Sequence, residues 1–374
     1  MTIPDDALLA QVSERLAASA ERLDASGEFP HDNFAYLHSL GLLALTVPAS
    51  FGGGGASLAD ARRVIAAVAK GDPSTALILV MQYLQHARLQ HSEHWPLAWK
   101  QRLALEAVET GALVNALRVE PELGSPARGG LPATVARRTA EGWRLSGRKI
   151  YSTGSHGLSW LLVWARSDDA DPQVGSWLIH KDSPGIHIED TWDHLGMRAT
   201  CSHDVVFDDV LVPLDQAVNI SPASAPQAEL DEQGQLWMAV MLSAVYDGVA
   251  QAGRDSFVAW LKARVPANLG APLATLQRFQ EKVGQIDSLL LSNQALLDGA
   301  ADGRLPAGSG PALKHLVTRQ AIQAVSLAIE AGGNPALDRR NALQRHYRNV
   351  LCARIHTPQD DTVLTNMGRA ALLG

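Results

Sequence analysis

The chain has 374 residues, 46% of them hydrophobic and 19% charged, with a net charge of -7. That length allows two or three domains with a large core, and an acidic balance without basic runs excludes a nucleic-acid surface or a polybasic membrane patch. Two cysteines, Cys201 and Cys352, are too few for a disulfide framework; with no basic secretory leader and no apolar run near the roughly 20 residues of a membrane span, a cytoplasmic globular protein is expected.

Residues 1–112 read as a helical domain. Leu9, Val12, Leu16, Ala20 and Leu23 form one stripe at three-to-four spacing, and residues 31–44 repeat the pattern before Pro48 and the cluster Gly52–Gly55. Asp72-Pro73-Ser74 is a start signal for the apolar helix Thr75–Leu89. Residues 113–222 change texture. Val135 to Ala140 and Trp143 to Ser146 flank a turn at Glu141-Gly142, and Trp160–Ala165, Ser176–His180 and Asp204–Val212 follow as β-rich runs. An antiparallel domain of barrel or sandwich type is expected there. Residues 223–374 return to helix, with Leu236–Leu261, Phe279–Leu297, Leu313–Ala331 and a segment from about Asn341 forming a four-helix bundle. Asp360 and Asp361 suit the cap of a last helix from about Thr362. The fold class is α+β, mostly α.

Three superficial motifs fail on spacing. Gly52–Gly55 is neither a P-loop nor a dinucleotide fingerprint, and His91-Ser-Glu93-His94 matches no zinc helix, so no metal is expected. Gly154-Ser155-His156-Gly157 lacks the spacing of a nucleophile elbow.

Three other segments carry signal together: Glu120-Pro-Glu-Leu-Gly124-Ser125; Gly147-Arg-Lys149-Ile-Tyr151-Ser152-Thr153-Gly154; and Leu195-Gly-Met-Arg198-Ala-Thr200, followed by Asp204 to Pro213. In this order, within a helix–β–helix chain, they resemble the acyl-CoA dehydrogenase superfamily over essentially the whole length. The resemblance implies that fold, a flavin cofactor and a homotetramer assembled through the C-terminal bundle. It places Thr153 and Ser152 at the flavin edge, Tyr151 against the ring, and Ser125 near the flavin phosphate or the substrate. A flavin needs such donors and acceptors along one edge, a ring-facing surface and an open face.

Two departures from the family pattern bear on the subfamily. Its catalytic carboxylate, needed to take the α-proton of an acyl-CoA, falls on Thr357 when counted from Arg348-Asn349, or on Met238 in members that carry it on the first bundle helix. Neither is an acid. The segment that grips the FAD pyrophosphate reads Pro266-Ala-Asn-Leu269-Gly270-Ala-Pro272, with proline in place of arginine, and the second phosphate cradle reads Glu330-Ala-Gly332-Gly333-Asn334-Pro335. Arg264 stands near enough to compensate, with Gly332 and Gly333 as the remaining cradle, so FMN becomes as reasonable as FAD.

Both departures resemble the branch of two-component flavin monooxygenases acting on compounds such as dibenzothiophene or hydroxyphenylacetate, which receive reduced FMN from a partner flavin reductase. By that resemblance His356, in His356-Thr357-Pro358-Gln359-Asp360-Asp361, would hydrogen-bond or protonate the flavin's oxygen adduct. Asn115 would hold the adduct or the substrate, and His86 is a further candidate. The expected activity is a reduced-flavin-dependent monooxygenase of a small organic substrate. Two alternatives stay open: an acyl-CoA dehydrogenase with a relocated base, Glu120 and Glu122 being the remaining acids, and a non-catalytic flavin- or CoA-binding member.

Overall fold

The computed structural model describes residues 3–92, 95–123, 130–225 and 231–373, with the side chains of 90 and 91 left aside. Five helices come first: α1 (Asp6–Ser26), α2 (His31–Ser39), α3 (Leu58–Gly71), α4 (Pro73–His91) and α5 (Leu97–Glu109). The stripe on α1 is its buried face: Leu9, Val12, Leu16, Ala20 and Leu23 are all inside. Asp5 caps α1, Ser57 caps α3 and Asp72 caps α4, each accepting a backbone N–H three residues on. The helix expected over 31–44 is shorter. It stops at Ser39 because the chain turns at Gly41 (φ 74°), and Leu42–Ala44 continue as a single 3-10 turn. Gly53 and Gly54 lie against the Leu45–Val47 backbone so closely that an added Cβ would sit 2.3 and 2.5 Å from the carbonyls of Val47 and Leu45, so this cluster is a packing device.

The middle of the chain is one eight-stranded sheet: β1 (Leu113–Leu117), β2 (Val135–Arg138), β3 (Trp143–Lys149), β4 (Leu158–Ser167), β5 (Gln173–His180), β6 (Ile186–Glu189), β7 (Asp204–Val212) and β8 (Ala217–Pro222). The order is β6-β7-β3-β2-β4-β5-β8, with β1 also on β4. The sequence pointed to an antiparallel domain, and here the structure corrects it. β1 and β2 take successive stretches of one edge of β4, and both run parallel to it. β4 can serve as this hub because its run Leu-Ser-Trp-Leu-Leu-Val-Trp-Ala is buried nearly throughout, as befits a strand covered on both faces. The hairpin at Glu141-Gly142 forms as its turn residues require, with Arg138 opposite Trp143.

Helices resume with α6 (Glu232–Ala263), α7 (Gln277–Ala301), α8 (Gly310–Gly332), the short α9 (Asn334–Leu337), α10 (Ala342–Leu351) and α11 (Asp360–Leu373). α6 is the axis of the molecule, packing on α3, α4, α7, α8 and α10. The segment from Asn341 is broken after Leu351 by a 3-10 turn, Cys352–Ile355, and by Pro358, so α10 and α11 are separate helices, with Asp360 and Asp361 in the first turn of α11. No helix among the described residues is long and apolar enough to cross a membrane.

Candidate flavin site

The loop between β3 and β4 and the segment from Leu195 to His203 are laced together. Gly154 N–H donates to Thr200 O (2.8 Å), Ser152 N–H to His203 O (3.2 Å), and Ser155 N–H and Oγ to Cys201 O. The side chains of this turn divide between two directions. Thr200 and Ser202 turn toward Thr153, forming a hydroxyl relay Thr153–Ser202–Thr200 with steps of 3.0 and 2.9 Å. Cys201 and His203 turn the other way, toward His156 and an open cleft of about 870 Å³ that His156, His203, Asp190 and Trp192 help to line. There His203 Nδ1 accepts the Trp192 N–H, which leaves its ring proton facing Asp190. Tyr151, Met197 and Cys201 hold positive φ (54°, 54° and 43°), unusual for residues with a Cβ and concentrated at this junction.

On the relay side, the Thr153 hydroxyl retains hydrogen-bonding capacity, and the Ser152 hydroxyl is buried with no partner among the described residues. Tyr151 is 55% exposed, its ring edge-on to Trp192 and His194. An orphaned buried hydroxyl, a neighbouring hydroxyl relay and a large exposed aromatic suit a flavin edge, where the ring supplies both polar atoms and an apolar face. Asn115, buried on β1, donates through Nδ2 to Thr153 O (3.0 Å) and accepts Ala116 N–H at Oδ1 (2.7 Å). Its amide therefore anchors the loop. Ser125 lies outside the described residues, as do Glu93 and His94.

The remaining candidates are spread. His86 bonds Gln82 (3.1 Å), whose Oε1 accepts the Val114 N–H, so His86 supports the strand that carries Asn115 while lining a separate cavity of about 320 Å³ with Phe51, Leu97 and Lys100. Burial lowers its pKa to about 4. His356 follows the turn after α10 and bonds the Tyr246 hydroxyl of α6; burial, with Lys314 nearby, lowers it to about 4. The link from this region to the relay is Asn349 of α10, whose Oδ1 accepts the Met197 N–H (2.8 Å), while Thr200 Oγ1 donates to Met197 O. Arg264, Gly332 and Gly333 form a group of their own. α6 and α8 run side by side in the same direction, an added Cβ at Gly310 falling 3.2 Å from Leu236 Cα and one at Gly253 3.3 Å from Val325. Exposed Arg264 and exposed Gly333 thus come to the same end of the bundle.

Glu120 has a different task from that of a base. Its carboxylate accepts from buried Lys149 Nζ (2.6 Å), from buried Thr134 through Oγ1 and N–H, and from the Ala133 N–H nearer the surface. Burial alone would raise its pKa, but these hydrogen bonds and the Lys149 charge hold it below the usual range. Burial lowers Lys149 to about 8, so both partners are ionised at neutral pH. The first two motifs are joined by this pair. Sequence reasoning missed Ser202, Tyr246 and Lys314; only Ser202 had a local signal, standing two residues beyond Thr200 of the third motif.

Two helical domains around a sheet, with an exposed aromatic and hydroxyls on one loop, are the arrangement of a flavin-dependent oxidoreductase. Residues 6–90, 118–210 and 240–360 match the N-terminal, middle and C-terminal domains of acyl-CoA dehydrogenase. The chain belongs to the acyl-CoA dehydrogenase family. A putative acyl-CoA dehydrogenase, YdbM of Bacillus subtilis (strain 168), is 33% identical over 97% of this chain and 95% of its own. An L-evernosamine nitrososynthase of a Micromonospora species is 34% identical over 69% of this chain and 61% of its own. The solved structure of KijD3 with FMN and a dTDP-linked amino-keto sugar superposes with a TM-score of 0.83, at 29% identity, over 98% of this chain and 92% of that one.

Proposed function

We propose that the protein is the oxygenase of a two-component system, a monooxygenase that takes reduced FMN from a separate flavin reductase and transfers one atom of dioxygen to a small organic substrate. The observation that carries this reading is the absence of a carboxylate where the family's base would stand. Met238 occupies one such position, half-buried on α6, and Thr357 the other, between His356 and Pro358. Glu120, the nearest alternative in sequence, is consumed by Lys149 and three further hydrogen bonds. The nitrososynthase and the FMN-bound KijD3 among the similar proteins support the same choice.

In this reading Thr153, Ser152 and Tyr151 hold the flavin edge and ring, and Asn115 keeps the Thr153 carbonyl in place. When bound, the flavin supplies the electrons that reduce dioxygen. The protein's part is to exclude water, orient the substrate and present a hydrogen-bond donor, for which His356 is assigned. Arg264, Gly332 and Gly333 are assigned to a flavin phosphate at a subunit boundary of a homotetramer.

The test combines two titrations. Reduced FMN should bind the purified protein more tightly than oxidised FMN or FAD and should reoxidise in oxygenated buffer more slowly than free reduced FMN. Octanoyl-CoA added anaerobically to FAD-loaded protein should leave the flavin oxidised. Bleaching of that flavin by the acyl-CoA would return the protein to the dehydrogenases.

A further inference from the structure

Tyr246 lies at the centre of α6 with no exposed surface, and its hydroxyl meets the Nε2 of His356. No other partner for this hydroxyl is found among the described residues. The direction of the bond follows from that. If Nε2 carried the proton and donated, the phenolic O–H would be left buried and unpaired, at a cost of about 1–3 kcal/mol. If the phenol donates, the hydroxyl and Nε2 are both satisfied, and the one proton of the neutral imidazole is at Nδ1, for which no partner is found among the described residues.

Two further contacts fix the ring in place. Lys314, wholly buried on α8, donates to the carbonyls of His356 (2.9 Å) and Pro358 (3.0 Å), clamping the main chain on both sides of Thr357. Thr318 Oγ1 in turn donates to Lys314 O (2.7 Å). The ammonium thus approaches the backbone of His356, leaving the ring nitrogens to Tyr246 and to whatever occupies the site. Burial lowers the imidazole pKa to about 4 and raises that of the phenol, so at neutral pH both groups keep the neutral form and no proton passes between them.

We propose that Tyr246 is a positioning residue that fixes His356 as the Nδ1–H tautomer, so that this histidine serves the site as a neutral hydrogen-bond donor and not as an acid. Lys314 holds the turn that aims it. The functional half of this inference rests on the oxygenase reading above; the tautomer itself does not.

The experiment is a long-range ¹H–¹⁵N correlation spectrum of the flavin-loaded protein at neutral pH, with the His356 resonances identified by their loss in His356→Gln. The expected result is an unprotonated Nε2 and a protonated Nδ1. A proton on Nε2, or an imidazolium, overturns the proposal with no variant needed. In Tyr246→Phe, which keeps the ring packing, the Nε2–H tautomer should become populated, and bound reduced FMN should reoxidise on the order of tenfold faster for the loss of one oriented donor. A shifted tautomer with an unchanged reoxidation rate would refute the donor role. Bleaching by an acyl-CoA beside an intact Nδ1–H tautomer would instead refute the oxygenase reading alone.

Discussion

Acidification from about pH 7 to about pH 5 should cost this protein much of its stability, and the responsible groups can be named. His86, His346 and His356 are held neutral in the fold by burial, with pKa values of about 4, about 3 and about 4. Once unfolded, each returns to about 6.5. The unfolded chain therefore binds more protons than the folded one between the two values, and stability falls as pH drops through that window. At about pH 5 each histidine costs about 2 kcal/mol, so the three together cost about 6 kcal/mol. Asp247 acts in the opposite sense. Burial raises it to about 6, so the folded state keeps a proton that the unfolded state releases, returning about 1.4 kcal/mol at about pH 5. The net loss of about 4–5 kcal/mol is a large share of a typical domain's stability. Urea unfolding followed by tryptophan fluorescence, at fixed protein and flavin concentration, measures it. His346→Gln, which cannot ionise, should remove about 2 kcal/mol of it, nearly half of the net dependence. A urea midpoint that does not move between the two pH values, or a slope unaltered in His346→Gln, would refute the reasoning.

Asn115→Ala releases the Thr153 carbonyl and the Ala116 amide and should weaken reduced-FMN binding about tenfold and lower the unfolding free energy by about 1–3 kcal/mol; a fluorescence titration and urea unfolding decide it. Thr153→Val keeps the shape but removes the hydroxyl that Ser202 meets, and should lower flavin affinity about tenfold, with Thr153→Ser restoring it; equal affinities in all three proteins would take Thr153 away from the flavin edge. Lys149→Met strands the Glu120 carboxylate in the interior and should destabilise the fold by about 3–5 kcal/mol, whereas adding Glu120→Gln should recover part of that loss. Strict additivity of the two substitutions in urea unfolding would mean the pair is not coupled.

The helical regions were legible because their burial follows local period. The α1 stripe and the capping residue Asp72 stand where the sequence put them, while the last helix begins at Asp360, two residues before the expected start. The junction of the second and third motifs was legible for another reason, since the motif letters coincide with a backbone few sequences adopt, Tyr151 and Met197 both holding φ of 54°. What stayed hidden is long in range or disguised in type. The parallel attachment of β1 to β4 joins residues some 45 positions apart, and nothing in either strand's alternation records the direction of its partner.

The charged residues are the clearest case of disguise. Lys149 and Lys314 read as surface residues by type, yet both are wholly buried. Each is tolerated for a reason that only tertiary structure supplies: Lys149 meets a carboxylate, Lys314 two carbonyls. Tyr246 is hidden in the reverse way. Within the run Val240 to Ala250 it passes for one more apolar core side chain, and its partner lies 110 residues downstream. A buried tyrosine must nevertheless place its hydroxyl somewhere, so an apolar helix that carries one beside a family's catalytic segment identifies a polar contact even before the contact is seen. The same requirement applied to Lys314 leads to the same turn. Two buried polar groups on different helices, each needing a partner, converge on His356, one on its ring and the other on its main chain.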